Sequence, residues 1–324
     1  MFGGIADIFF PDNLPVMDKS ACLNRRNRFE PCALCETVCT FGALSISAGL
    51  VSIDAGKCTC CGLCSTVCPS EALKLKDYRI FRSIAGNNKL RCMKSGGIIC
   101  LKSLSPSFAA AVLVISPAIK LVMPCENCAL SEKFLPDNLN IAMKFLDALG
   151  VSHDVEIISD ENFEEGLSRR ELLSSFFTWG KNKGSNIIED VIWHNQSGVF
   201  LARNFLADSL KNESGHVEAG VFYDFSVSEG CNVCGFCEAL CPSGAWNISK
   251  NDGKATLTFD TLKCSGCMMC VKKCPENAII FREKFAWPVE SSVKFEASMI
   301  RCRHCGKWFV QSKPEIELCA QCSK

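Results

Sequence analysis

Two stretches near the end of the 324-residue chain, CNVCGFCEALCP at 231–242 and CSGCMMCVKKCP at 264–275, repeat one spacing, C-x2-C-x2-C-x3-C-P. Three thiolates separated by two residues each let a short loop wrap an iron–sulfur cube while its amide groups point at the sulfurs. The fourth cysteine, further on, reaches the other cluster of a pair. The spacing therefore predicts one cluster on Cys231, Cys234, Cys237 and Cys274, and its neighbour on Cys264, Cys267, Cys270 and Cys241. Between the copies, GAWNISKNDGKATLTFDTLKC alternates apolar and polar residues around Asn251-Asp252-Gly253, a β-hairpin signature.

These copies resemble the bacterial-type ferredoxins with two four-iron clusters, over roughly residues 222 to 282. The resemblance implies a small α+β fold in which pseudo-twofold halves carry one cluster each, and electron transfer one electron at a time. The N-terminal region repeats the plan. CTCCGLCSTVCP supplies Cys58, Cys61, Cys64 and Cys68 at full spacing, and GALSISAGLVSIDAGKC matches the later hairpin with a shorter turn. The preceding half departs from the pattern: in ACLNRRNRFEPCALCETVCT the first cysteine position is Phe29, and Thr40 stands where proline usually follows. Cys22 can replace the missing ligand if LNRRNRFEP loops out, giving Cys22, Cys32, Cys35 and Cys68 for one cluster and Cys58, Cys61, Cys64 and Cys39 for the other. The alternative is a three-iron cluster or an open iron site with Cys22 a buried thiol. Arg25, Arg26 and Arg28 in that loop, like Lys272 and Lys273 beside Cys274, either tune a dianionic cluster and dock an acidic partner or are solvated.

The chain holds 25 cysteines, an odd number that cannot all pair as disulfides. MFGGIADIFFPDN lacks the basic n-region of a secretory signal, so a reducing, cytoplasmic setting with metal-bound thiolates is expected. FAAAVLVISPAI is too short to span a bilayer and contains Pro117, which argues against membrane insertion. Lys plus Arg equals Asp plus Glu at 35 each, giving nucleic-acid binding no support.

The last residues hold CRHCGKWF and ELCAQC, so Cys302, Cys305, Cys319 and Cys322 form C-x2-C-x13-C-x2-C with Gly306 after the first pair. Two such knuckles fix a tetrahedral site of four thiolates, of a length nearer a zinc ribbon than rubredoxin; structural zinc is expected, a single iron being the alternative. Arg301, Arg303, His304 and Lys307 make a small basic patch suited to protein docking or stabilisation.

Between the ferredoxin-like ends, GGIICLKSL, AIKLVMPC and DVEIIS read as short buried strands, and SPSFAAAVLVI and DNLNIAMKFLDALG as helices. The second helix carries Leu139, Ala142, Phe145, Leu146 and Leu149 on one stripe, with Gly150 as a stop. The alternation predicts a small α/β unit with a parallel sheet, whose ligands sit at the carboxyl ends of strands. The layout is also similar to the small iron–sulfur delta subunits of methanogen-type hydrogenases. Cys92, Cys100, Cys125 and Cys128 belong to this unit, and three readings stay open: a further iron–sulfur or zinc site, a redox dithiol at Cys125 and Cys128, or buried thiols. Cys60, between two ligands, reads as a bystander. SRRELLSSFF reads as a helix start with Ser168 as cap and Glu171 three residues on, residues 185–212 as mostly helical, and His194 and His216 as surface residues.

The expected class is α+β: a dicluster module at 1–88, a small α/β domain at 89–165, a helical linker at 166–217, a second dicluster module at 218–290 and the knuckle at 291–324. No nucleophile–base arrangement, phosphate loop or dinucleotide fingerprint appears. The expected protein carries four [4Fe-4S] clusters and one zinc and relays single electrons, in anaerobic metabolism, between partners of reductase, dehydrogenase or hydrogenase type, alone or as a subunit of a larger complex. The alternative is an accessory or maturation factor for a complex redox enzyme, such as a molybdenum-dependent one. Whether the chain is itself an enzyme stays open.

Overall fold

In the computed structural model the described residues are 14–26, 31–74, 88–92, 100–123, 134–158, 202–251, 253–311, 316–319 and 321–323. They fall into two compact units, 1–215 and 216–324.

The first unit opens with β1 (Val16–Met17), α1 (Leu23–Arg26) and α2 (Leu34–Val38), then the antiparallel hairpin β2 (Leu44–Ser47) and β3 (Leu50–Ile53). Its two-residue turn places Ala48 at φ 50 and Gly49 at φ 75. Two left-handed residues in succession match the right-handed twist of the flanking strands, although Ala48 pays a steric penalty that Gly49 does not. The helix α3 (Leu63–Thr66) and β4 (Leu73–Lys74) follow, and β4 pairs with β1. The core here is small: Cys35, Leu44, Cys64 and Leu73 bury together, and Ala21, Cys22 and Ala72 form a satellite beside them.

The same unit continues through β5 (Lys89–Arg91), a 3₁₀ turn (Leu101–Ser103), α4 (Pro106–Ile115), β6 (Ala118–Val122), α5 (Phe134–Asp147) and β7 (Asp154–Ile158). The strands form the expected parallel sheet, in the order β5-β6-β7. Ser105 caps α4 by accepting the Phe108 N–H, with Pro106 at the first helical position. The stripe Leu139, Ala142, Phe145 and Leu146 on α5 is buried, as is Leu149 just past its end, and Gly150, at φ 69, ends the segment. The expectation of a strand over GGIICLKSL is corrected at its described end. Ser103 donates both its N–H and its hydroxyl to the Cys100 carbonyl (2.9 and 2.7 Å), which closes a tight turn in place of a ladder. Within the segment expected to be helical, α6 (Ala202–Ser209) is described, and it packs against α4. The proposed Ser168 cap, Glu171 and His194 lie outside the described residues, as do Phe29, Arg28, Cys125 and Cys128.

The second unit runs β8 (Gly215–Glu218), β9 (Asp224–Val227), α7 (Phe236–Leu240), β10 (Trp246–Asn251), β11 (Lys254–Phe259), α8 (Met269–Lys272), β12 (Ile279–Arg282), β13 (Lys284–Trp287), β14 (Ser292–Arg301) and β15 (Trp308–Val310). Here β9 pairs with β12, and β8 with β13. The predicted hairpin is β10–β11, turning through Gly253 at φ 75. Its inward face buries Trp246, Leu257 and Phe259 against Phe225 of β9, the Phe225 and Phe259 rings meeting edge to face at 5.2 Å. The sheet does not stop at the hairpin. The ten-residue β14 pairs with β11 and then with β15, so one four-stranded sheet, β10-β11-β14-β15, runs from the ferredoxin-like core into the C-terminal cysteines.

Candidate metal centres

In the second unit Cys231, Cys234, Cys237 and Cys274 line one cavity of about 350 Å³. Burial pushes the Cys237 thiol up to about 12, and Cys231 and Cys234 add to the shift. Cys231 is raised too, by burial first and then by Cys234 and Cys274. The other set converges likewise. Burial raises Cys264, with Cys270, Cys267 and Cys241 reinforcing it, and holds Cys270 at about 11 despite a hydrogen bond from Trp246.

The loops that gather these sulfurs share a backbone device. Val233 and Gly266, each just before the second cysteine of its motif, have φ 50 and 73, and Gly235 and Met268, just after it, have φ 86 and 59. Left-handed residues on both sides of a cysteine turn its loop into a concavity with N–H groups directed inward. At Gly266 a side chain is excluded outright, since a Cβ would lie 2.3 Å from the Tyr223 ring.

The first unit repeats this geometry. Cys22, Cys32, Cys35 and Cys68 line one cavity, of about 330 Å³. Burial pushes Cys35 up to about 11, with Cys68, Cys32 and Cys22 adding to it. Cys39, Cys58, Cys61 and Cys64 line a second, of about 420 Å³, together with Cys60. Cys64 reaches about 12 through burial, then Cys61 and Cys58. Cys60 has φ 57 at the place Gly266 occupies in the other unit.

Cys22 reaches its cavity through a residue that spacing alone did not point to. Asn24 is buried, and its side chain donates to the Cys32 carbonyl (2.7 Å) and accepts the Cys32 N–H (2.6 Å). This clamp ties the start of α1 to Cys32, so Cys22 and Cys32 line the same cavity. A polar residue two positions after an isolated cysteine was the available signal.

Each fourth motif cysteine accepts the backbone N–H four residues on: Ala43 to Cys39 (3.3 Å), Ala72 to Cys68 (3.2 Å), Ala245 to Cys241 (3.2 Å) and Ala278 to Cys274 (3.3 Å). Thr40 in place of proline leaves this contact intact. Such donors stabilise thiolate sulfur. The buried hydroxyls of Ser65 and Ser265 face the sulfurs of Cys64 and Cys267 and, among the described residues, have no oxygen or nitrogen partner. Four converging thiols, with backbone N–H groups and serine hydroxyls aimed at their sulfurs, fit an iron–sulfur cluster.

At the C-terminus the sulfurs of Cys302, Cys305, Cys319 and Cys322 all lie within 4.8 Å of one another. Cys305 and Cys319 are 3.7 Å apart, close to the edge of a tetrahedron with metal–sulfur bonds of about 2.3 Å. N–H groups of Cys319 and Cys305 hold the Cys302 thiol down at about 6. Gly306, at φ 69, donates to the Cys302 carbonyl, and Arg303 bridges to Glu317 at 2.7 Å. The exposed Arg303 expected in a basic patch is thus neutralised within the knuckle.

Of the remaining thiols, Cys92 and Cys100 are brought together. Both are buried, and a hydrogen bond between them, followed by burial, raises Cys100 strongly. His216 lies in β8.

Paired four-thiol pockets on short loops, backed by an antiparallel hairpin, define an iron–sulfur protein of the ferredoxin class. The 4Fe-4S dicluster domain matches residues 230–278. The chain is 35% identical over 72 residues to the pyruvate synthase subunit PorD of Methanocaldococcus jannaschii, covering 78% of that protein and 22% of this one. It is 33% identical over 54 residues to an uncharacterized ferredoxin of the same organism, covering 70% of it and 17% of this chain. It therefore belongs to the dicluster ferredoxin family. A third similarity, 28% over 118 residues, is to DNA-directed RNA polymerase subunit Rpo3 of Methanosarcina acetivorans; it takes in 36% of this chain and only 41% of that subunit's length. No solved structure matches. Among the described residues no helix is long and apolar enough to cross a membrane.

Proposed function

We propose that the chain carries four [4Fe-4S] clusters, two in each ferredoxin-like module, and relays single electrons as the iron–sulfur subunit of a cytoplasmic oxidoreductase complex. The modules are those at 1–88 and 218–290, joined through the α/β domain and the helical segment after it. One observation carries this reading: both units repeat the same convergence of two four-thiol sets, down to the N–H donated to each fourth cysteine. The ligand sets are Cys22, Cys32, Cys35 and Cys68; Cys39, Cys58, Cys61 and Cys64; Cys231, Cys234, Cys237 and Cys274; and Cys241, Cys264, Cys267 and Cys270. Bound clusters supply one-electron redox chemistry at low potential. The protein's own part is to bury the thiols, to direct N–H groups at them and to exclude water, which together tune that potential. The likeness to a pyruvate synthase subunit supports a partner of that kind, an oxidoreductase to which this chain passes electrons or from which it accepts them. The C-terminal thiols hold structural zinc in this reading.

Anaerobic metal and sulfide analysis tests it, with roughly 16 iron atoms and one zinc expected per chain. Electron paramagnetic resonance of the reduced protein should show interacting cluster pairs. An iron-loaded protein without any reducible signal would sink the proposal.

A further inference from the structure

Among the described residues, Cys92 and Cys100 stand outside every four-thiol set, and both are closed to solvent at 2% and 1% exposure. They arrive from different elements. Cys92 follows β5 and donates its N–H to Val122 at the end of β6 (2.9 Å), while Cys100 immediately precedes the 3₁₀ turn. Their thiols are hydrogen-bonded to one another. The Cys100 N–H donates to the carbonyl of Cys61 (3.3 Å), and the Thr66 hydroxyl of α3 donates to the Ser103 carbonyl in the same turn. The pair is thus held by the backbone of the loop and helix that carry Cys61 and Cys64.

Buried single cysteines usually serve as small apolar filler. Two thiols in mutual contact differ, because they are one electron pair away from a disulfide. Burial keeps soluble thiols and disulfides from reaching them, so exchange with such reagents is blocked. Electrons need no such access, and the hydrogen bond to Cys61 gives them a short path.

We propose that Cys92 and Cys100 form a dithiol–disulfide couple that holds an electron pair for the N-terminal dicluster module; this rests on the reading of that module as cluster-bearing. In the reducing direction the Cys92–Cys100 S–S bond breaks as two electrons arrive one at a time through the module from a low-potential one-electron donor, and two protons from water complete the thiols. In the oxidising direction the S–S bond forms, two protons pass to water, and the two electrons depart singly by the same route to a one-electron acceptor of higher potential, two equivalents of which are reduced. The couple converts a two-electron event into single-electron steps.

The test uses the full-length, cluster-loaded protein, poised oxidised with a one-electron dye and titrated anaerobically with dithionite. Samples are acid-quenched, alkylated and analysed by mass spectrometry for the peptides holding Cys92 and Cys100. The expected result is a disulfide-linked pair that becomes two alkylated thiols, with the unaltered protein consuming two electron equivalents more than the Cys92→Ser, Cys100→Ser double variant at equal iron and sulfide content. Free thiols at every potential, in protein whose N-terminal clusters are loaded, would overturn the couple. Loss of iron or zinc in a double variant that keeps the circular dichroism of the unaltered protein would also overturn it, making the pair metal ligands. Iron and sulfide at about half the expected amount in the unaltered protein, with the second unit loaded, would instead overturn the dicluster reading of the first unit. The peptide readout needs no variant, so it stands even if the double variant misfolds.

Discussion

Asn24 is the residue on which the unusual first motif depends. Asn24→Ala removes both hydrogen bonds to the backbone of half-buried Cys32, a cost of about 0.5–1.5 kcal/mol for each bond. The expected outcome is a protein with about four fewer iron atoms, the second unit's clusters intact, read by iron analysis beside the resonance spectrum. Gly266 and Cys60 make a second contrast at this scale. Gly266→Ala drives a methyl into the Tyr223 ring and should cost the second unit a cluster, whereas Cys60→Gly suits the left-handed backbone at φ 57 and should keep the full iron content. Iron loss in Cys60→Gly would make that thiol a ligand. Proton release belongs here too. Burial raises Cys64 and Cys237 to about 12, so both are protonated in metal-free protein at neutral pH, yet they must be thiolates to bind iron. Loading therefore expels protons and should strengthen from pH 6 to pH 8, as followed by visible absorbance in anaerobic reconstitution; equal loading at both values would contradict the assignment.

Among the elements, β14 does the most to organise the second unit. It pairs with the β10–β11 hairpin and is anchored from its side by Lys294, whose ammonium lies 2.5 Å from the buried carboxylate of Asp224 on β9. Arg282 on β12 joins the same carboxylate at 3.3 Å, so Asp224 ties three strands together. Removing it leaves Lys294 buried without its counter-charge. Asp224→Ala should destabilise the second unit by about 3–5 kcal/mol, measured by denaturant unfolding of the loaded protein. A change below 1 kcal/mol would show that the hairpin contacts alone hold β14. In the first unit Arg203 on α6 forms a two-pronged pair with Glu71, three residues after Cys68. The helix expected only to link modules is thereby fastened to the turn that follows Cys68.

At the scale of the whole molecule, iron–sulfur pockets and a four-thiol knuckle share one chain. The knuckle grows from β14 and β15, at the edge of the sheet rather than among the ferredoxin-like cysteines. Cys319→Ser should therefore release the metal of the four-thiol site and raise amide hydrogen exchange over 302–323 while leaving the resonance signals of the reduced protein unchanged; loss of those signals would show that the knuckle supports the neighbouring pockets. The cysteine spacings, both hairpins, the α5 stripe and the parallel α/β unit were legible because each rests on residues close together in the chain, whose periodicity and turn chemistry act locally. The Asn24 clamp, the 3₁₀ turn at Leu101–Ser103, the continuity of β14 with the hairpin and the meeting of Cys92 with Cys100 were not. Each depends on groups from separate elements, and a carbonyl finds a distant hydroxyl, or one thiol another, only when packing brings them together. The sequence by itself determined the repeated cysteine spacings and the hairpins between them, because both rest on residues close together in the chain. Only the tertiary structure decided that Cys22 lines one cavity with Cys32, Cys35 and Cys68 and that a buried thiol pair rests against the Cys61 backbone, because those contacts are formed by burial and by hydrogen bonds across the fold.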